Sequence, residues 1–183
     1  QKDIATVGVF VLNKYLQQVL ALMQEVLSSP VYPQEEIAIS MAARKQQHLI
    51  NSQKVQYLSR LYFNELLYGS EHPYGVRLDS GDFDRVYQAD LVDYHQTYYH
   101  PGNAFCIVAG KIPPDIAPLL NQTLGSAQWA GRPPIPGPKY GLHSAAERKM
   151  LVEKPDAIQS AIRIGRRLFN RNHPDYHPLM IAN

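Results

Sequence analysis

The chain has 183 residues, 45% of them hydrophobic and 19% charged, enough apolar material for one good core and too much for a disordered segment. Eighteen basic against 16 acidic residues leave a formal charge of +2, which gives no basic footprint for nucleic acid or an anionic membrane. The single cysteine, Cys106, excludes an intrachain disulfide and a cysteine-based zinc cluster, and no apolar run reaches the roughly 20 residues needed to span a bilayer.

Thr6 to Tyr15 is short and β-branched and predicts a strand. Apolar residues at 16, 19, 20, 23, 26 and 27 then recur with helical period, until Ser28-Ser29-Pro30 stops them. A second helix is expected from Pro33-Gln-Glu-Glu36, its acidic residues in the first turn, through Ile37, Met41 and Lys45 towards Asn51. A third, over about Lys54 to Leu67, carries Val55, Leu58, Leu61, Tyr62 and Leu66 on one face, with Gly69 as its C-terminal cap. Tyr68 to Gly75 reads as loop. Asp82 to Tyr98 contains a fourth helix, broken by His100-Pro-Gly-Asn103.

Ala104-Phe-Cys-Ile-Val-Ala-Gly110 is continuously apolar and predicts a strand covered on both faces. Pro114 to Leu124 predicts a short helix. Residues 131–141 hold four Pro and three Gly and read as a semi-extended linker. Lys149 to Lys154 and Gln159 to Gly165 predict two further strands, and His173-Pro-Asp-Tyr176 opens a helix with Pro174 in its first turn. The sequence therefore divides into an α+β unit over 1–128, a Pro/Gly-rich linker over 129–148, and the start of a second unit over 149–183. It begins on Gln1 rather than Met and ends inside a predicted helix, so both ends read as cut from something longer.

Chemistry-bearing patterns are sparse. The histidines are 48, 72, 95, 100, 143, 173 and 177, and neither His-Glu-X-X-His nor His-X-X-Glu-His occurs. His173 and His177 are spaced one turn apart, but Pro174 places His173 at or outside the helix start, so the rings should diverge. His95 and His100 lie five apart across a helix end, too distorted for chelation; His95 reads as a half-buried helix residue and His72 as a loop-fixing one. Cys106 is expected to be a buried, inert thiol. Asp79, Asp82 and Asp84 lack the spacing and closing Glu of a calcium loop and read as a helix start with local turns. Gly165-Arg-Arg-Leu-Phe-Asn-Arg171 reads as a solvated strand end. There is no nucleophile elbow, phosphate cradle or dinucleotide fingerprint.

The order of the motifs carries a resemblance. An apolar helix ends in Ser-Ser-Pro and leads into Tyr32-Pro-Gln-Glu-Glu-Ile37. Leu66-Leu-Tyr-Gly-Ser-Glu-His-Pro-Tyr-Gly75, Tyr98-Tyr-His-Pro-Gly-Asn-Ala104 and a strand ending in Ala109-Gly110 follow. Lys154-Pro-Asp-Ala-Ile-Gln-Ser-Ala-Ile-Arg-Ile-Gly165 and His173-Pro-Asp-Tyr176 close the series. Over essentially the whole chain this resembles the M16 metallopeptidases, the insulinase, pitrilysin and mitochondrial-processing-peptidase-like family. The resemblance implies an α+β fold with helices packed on a mainly antiparallel sheet, the chain running from the later part of one domain into the next. It also implies paired halves around a chamber that takes unfolded peptides.

Active members carry His-X-X-Glu-His upstream and a third zinc ligand, a Glu, about seven residues or two helical turns beyond an earlier Glu. Counted from Glu36 that position is Ala43, and from Glu35 it is Ala42. Alanine cannot ligate zinc. The resemblance therefore implies a non-catalytic half or subunit with no catalytic and no metal residue of its own, and with zinc on a catalytic M16 partner. Two alternatives stand beside it: an active zinc peptidase whose motif lies upstream, with Glu65 as third ligand, or a structural core-subunit-like protein without proteolytic role. A soluble protein, cytoplasmic or periplasmic, is expected.

Overall fold

A computed structural model describes residues 3–125, 137, 140–141 and 148–182. Its helices are α1 (Leu16–Ser28), α2 (Gln34–Ser52), α3 (Val55–Tyr68), α4 (Gln88–Tyr98), α5 (Ile116–Thr123) and α6 (Tyr176–Ala182), with 3-10 turns at Asn13–Tyr15, Ser80–Arg85 and Pro101–Asn103. The helical expectations are met within a few residues. The anticipated fourth helix resolves into the 3-10 turn at Ser80–Arg85 followed by α4.

The α+β expectation is overturned. Among the described residues no two segments pair into a β-ladder, and the regular structure is helical. The four runs read as strands, beginning at Thr6, Ala104, Lys149 and Gln159, carry no regular hydrogen-bonded structure; only Asn13–Tyr15, at the end of the first, is coiled. Local extension survives in places, as at Leu12 (φ −72°, ψ 142°) and Ala104 (φ −126°, ψ 154°). A strand also needs a second backbone about 4.8 Å away to take its N–H and C=O groups, and side-chain pattern alone cannot report one. The predicted covering is missing too: Phe105 is 75% and Ile107 79% exposed. The linker expected over 129–148 lies almost wholly outside the described residues.

The chain forms two compact units, one of residues 1–46 and 80–139, the other of 47–79 and 140–183. In the first, α1 packs against α5. Its predicted apolar stripe turns inward at Leu20 and Leu27, which are buried, while Val26 on the stripe and Leu22 off it are both exposed. The Asn13 amide donates to the Lys111 carbonyl at 2.8 Å and so holds the entry to α1. At the start of α4, the Asp90 carboxylate accepts the Tyr87 backbone N–H at 2.8 Å, satisfying a donor that the helix leaves unpaired.

The join between α1 and α4 is polar. His95 is 9% exposed, and its Nε2 donates to the Leu27 carbonyl at 2.8 Å; because a carbonyl can only accept, this fixes the tautomer with the proton on Nε2. Tyr99 stacks on the His95 ring at 5.2 Å and Tyr32 meets it edge-on at 6.2 Å. Tyr32 holds φ 49°, a left-handed turn between α1 and α2, and the Gln88 amide donates to its carbonyl at 2.9 Å. Burial, and secondarily Tyr99, pushes the Tyr32 phenol above its ordinary pKa of 10.0.

Two predictions follow from this junction. Replacing His95 with Ala removes both the ring and the bond to Leu27 and should cost about 2 kcal/mol in denaturant unfolding. A raised phenol pKa means that the folded state keeps its proton longer than the unfolded chain. The stabilisation is therefore complete below the unfolded pKa of 10.0 and lost as pH climbs above it. Tyr32→Phe should accordingly flatten the fall in stability measured above about pH 10.

Candidate functional site

In the second unit α3 stands on the turn at Asn51–Lys54, where the Lys54 N–H donates to the Asn51 carbonyl at 2.9 Å. Gly69 ends it at φ 85°, its N–H donating to the Glu65 carbonyl at 2.7 Å, as the sequence led us to expect. The loop beyond is built on His72. Its Nδ1 accepts the Tyr74 N–H at 3.1 Å, and its ring stacks on Tyr68 at 5.1 Å and meets Tyr140 at 5.4 Å. Gly75 closes the loop so tightly that a Cβ there would lie 2.0 Å from the Gly69 carbonyl oxygen.

Alongside α3 runs the segment Arg148–Phe169. Lys154 Nζ donates to Gln53 Oε1 at 3.0 Å, Arg163 Nε donates to Ser59 Oγ at 3.1 Å, and Gly165 lies under the Phe63 ring, where a Cβ would meet Cζ at 2.9 Å. Pro155 and Asp156 form a turn, with Asp156 at φ 61° and the Ala157 N–H donating to the Lys154 carbonyl at 3.4 Å. Between this segment and α3 lies an open cavity of about 2080 Å³, with Val55, Leu58 and Tyr62 on one wall and Met150, Val152 and Ala161 on the other. Its rim is basic. The pattern of the sequence pointed to two strands here; the groove itself could not be foreseen, because it depends on where α3 stands.

The residues weighed for metal chemistry are dispersed among other roles. Ala43 is exposed on α2 and offers no donor atom. Glu65 is held by Arg77, Nε to Oε2 at 2.6 Å, and Arg77 also lies over the Tyr62 ring at 4.3 Å. His95 is committed to Leu27, and His48 Nδ1 lies 3.4 Å from the Tyr57 hydroxyl. His173 lies outside α6, accepts the Asp175 N–H at 3.2 Å and stacks on Phe169 at 4.0 Å, so it does not act with His177. Asp84 pairs with Lys45 at 2.5 Å and Asp82 with Arg85. His143 lies outside the described residues. Among the described residues no group of three His, Cys, Asp or Glu side chains is arranged to hold a metal ion. The described residues do not fit zinc.

Two side chains depart from expectation. Cys106 is exposed rather than buried, because no neighbouring strand covers its segment. His100, which the sequence analysis placed in a helix-breaking run and set aside as a chelating partner of His95, is 5% exposed, and neither ring nitrogen has a hydrogen-bond partner among the described residues. No sequence signal separates that burial from the exposure of its neighbours. An unsatisfied buried polar group costs about 1–3 kcal/mol. His100→Leu should therefore leave stability unchanged or raise it by about 1 kcal/mol, read from a thermal melt.

The described residues thus combine a helical arrangement, an open groove beside α3 and no group of side chains placed to hold a metal ion. The family description "Peptidase M16 inactive domain" matches residues 85–183, more than half of the sequence, and the chain belongs to the M16 peptidase family. The matched stretch includes α4, α5, α6 and the Arg148–Phe169 wall of the groove. No curated protein and no solved structure is matched by the chain. Among the described residues no helix is long and apolar enough to cross a membrane.

Proposed function

We propose that this chain is the non-catalytic half or subunit of an M16-type zinc peptidase and helps to form the chamber that binds unfolded peptide. The observation that carries the reading is the match of residues 85–183 to the inactive domain of the family. Three features of the residues support it. The sequence contains neither order of the two-histidine zinc motif. Ala43 places a methyl group where active members place a carboxylate. Glu65, the substitute ligand, is engaged by Arg77. Zinc and the attacking water would then belong to the catalytic partner, which carries His-X-X-Glu-His.

In this reading residues 1–128 are the later part of one family domain, 129–148 the connection, and 149–183 the opening of the next. The protein works in a soluble compartment, the cytoplasm or the periplasm.

The test is zinc content together with cleavage of a quenched unfolded peptide. The chain is measured alone and then mixed with an M16 subunit bearing His-X-X-Glu-His. The expected result is no stoichiometric zinc and no cleavage alone, with cleavage on mixing at least about tenfold above that of the catalytic subunit by itself; tenfold corresponds to about 1.4 kcal/mol of transition-state stabilisation. Stoichiometric zinc with activity in the isolated chain would overturn the proposal, and so would an unchanged rate on mixing.

A further inference from the structure

Proline follows histidine four times in the sequence, at His72, His100, His173 and His177. Two of these pairs, both in the second unit, build the same turn. In each, the imidazole Nδ1 accepts the backbone N–H two residues on: that of Tyr74 at His72, at 3.1 Å, and that of Asp175 at His173, at 3.2 Å. The intervening proline has no N–H to compete for it. In each, the ring also stacks on the aromatic side chain four positions earlier, His72 on Tyr68 at 5.1 Å and His173 on Phe169 at 4.0 Å. The backbone repeats as well. The histidine N–H donates three residues back, to Gly69 and to Asn170, and the histidine carbonyl accepts from three residues on, Gly75 and Tyr176.

A bond of this kind exists only while Nδ1 carries no proton. A protonated imidazole donates from both nitrogens, so acid sets two donors against each other. Histidine is also the side chain whose charge ordinarily changes between about pH 5 and 8.

The two turns differ in what can answer the charge. His173 and Asp175 are exposed, and Asp175 Oδ2 lies 3.8 Å from the same Nδ1, where it can accept once the ring gains a proton. His72 is half-buried. It is faced by the rings of Tyr68 from α3, Tyr74 from its own loop and Tyr140, at 5.1, 5.4 and 5.4 Å. The adjacent carboxylate, Glu71, is exposed and accepts from Ser70 Oγ at 3.2 Å. Among the described residues no ion pair includes His72.

We infer that the His72 turn is an acid-released latch on the end of α3. Protonation of Nδ1 drives the Tyr74 N–H from the ring, the loop from Gly69 to Gly75 opens, and the contact with Tyr140 is given up. The His173 turn is built alike but stays closed in acid, because the proton that removes one acceptor recruits another from Asp175. The latch involves neither zinc nor cleavage, so it stands or falls apart from the proposed subunit role.

The experiment is amide hydrogen exchange by NMR on the full chain, at about pH 7.5 and about pH 5.5, each rate divided by that amide's intrinsic rate. In acid, protection of the Tyr74 and Gly75 amides should fall at least about tenfold, while amides in the middle of α3 and the Tyr176 amide keep theirs. His72→Asn keeps an acceptor oxygen close to the place of Nδ1 and takes up no proton. With its fold checked by circular dichroism, it should hold the loop equally protected at both pH values. His173→Asn should leave the response of the His72 loop unchanged. Equal protection of Tyr74 and Gly75 at the two pH values in the unaltered protein would overturn the inference. A response that survives in His72→Asn would do the same, since another group would then be titrating. Loss of protection through the whole of α3 would make the opening global, and a matching fall at Tyr176 would erase the difference between the turns; either result sinks the latch.

Discussion

One buried hydrogen bond, from His95 Nε2 to the Leu27 carbonyl, organises the first unit. Leu27 lies in the last turn of α1, where the helix leaves its carbonyls without intrahelical partners. His95 comes from the last turn of α4 and satisfies one of them inside the protein rather than in water. The choice of donor then fixes the imidazole tautomer, while Tyr99 stacks on the ring and Tyr32 meets it edge-on. Tyr32 in turn sits in the left-handed turn that sends the chain into α2, with Gln88 holding its carbonyl. Three helices thus take their relation from a donor that hydrophobic periodicity would count as a weak apolar position.

The helices were legible because each carries its own evidence. The stripe of Leu16, Val19, Leu20, Met23, Val26 and Leu27, the acidic first turn at Glu35 and Glu36, and the Gly69 cap are local signals, and the helices form where they point, although Val26 stays exposed. The strands were not legible in the same sense. Ala104–Gly110 and Gln159–Gly165 have strand-like composition, but strandness belongs to a pair of segments. A sequence read one segment at a time supplies half of each pair. The same limit explains Cys106, whose burial was inferred from a neighbour that is not beside it.

The groove beside α3 was not legible in the sequence, and the residues weighed for metal chemistry were legible only as identities. The absence of the two-histidine motif and the alanine at 43 are statements about residue identity and need no coordinates. That Glu65 is occupied by Arg77, and that His173 is turned towards Asp175 rather than His177, could be learned only from geometry. The basic run at Arg166 and Arg167 shows the opposite case. It looked like an ordinary solvated end, and it became part of a rim once α3 was placed across from it. In both cases an ionic side chain means little until its counterpart is known.

The loop between Gly69 and Gly75 carries a consequence of another kind. The two glycines approach within a distance that no methyl group can enter, and the aromatic rings of Tyr68, His72 and Tyr74 fold over the same few residues. Any descendant of this sequence that keeps the fold of the loop inherits a position closed to the other nineteen amino acids. A side chain gained at that position would have to open the loop before it could be accommodated.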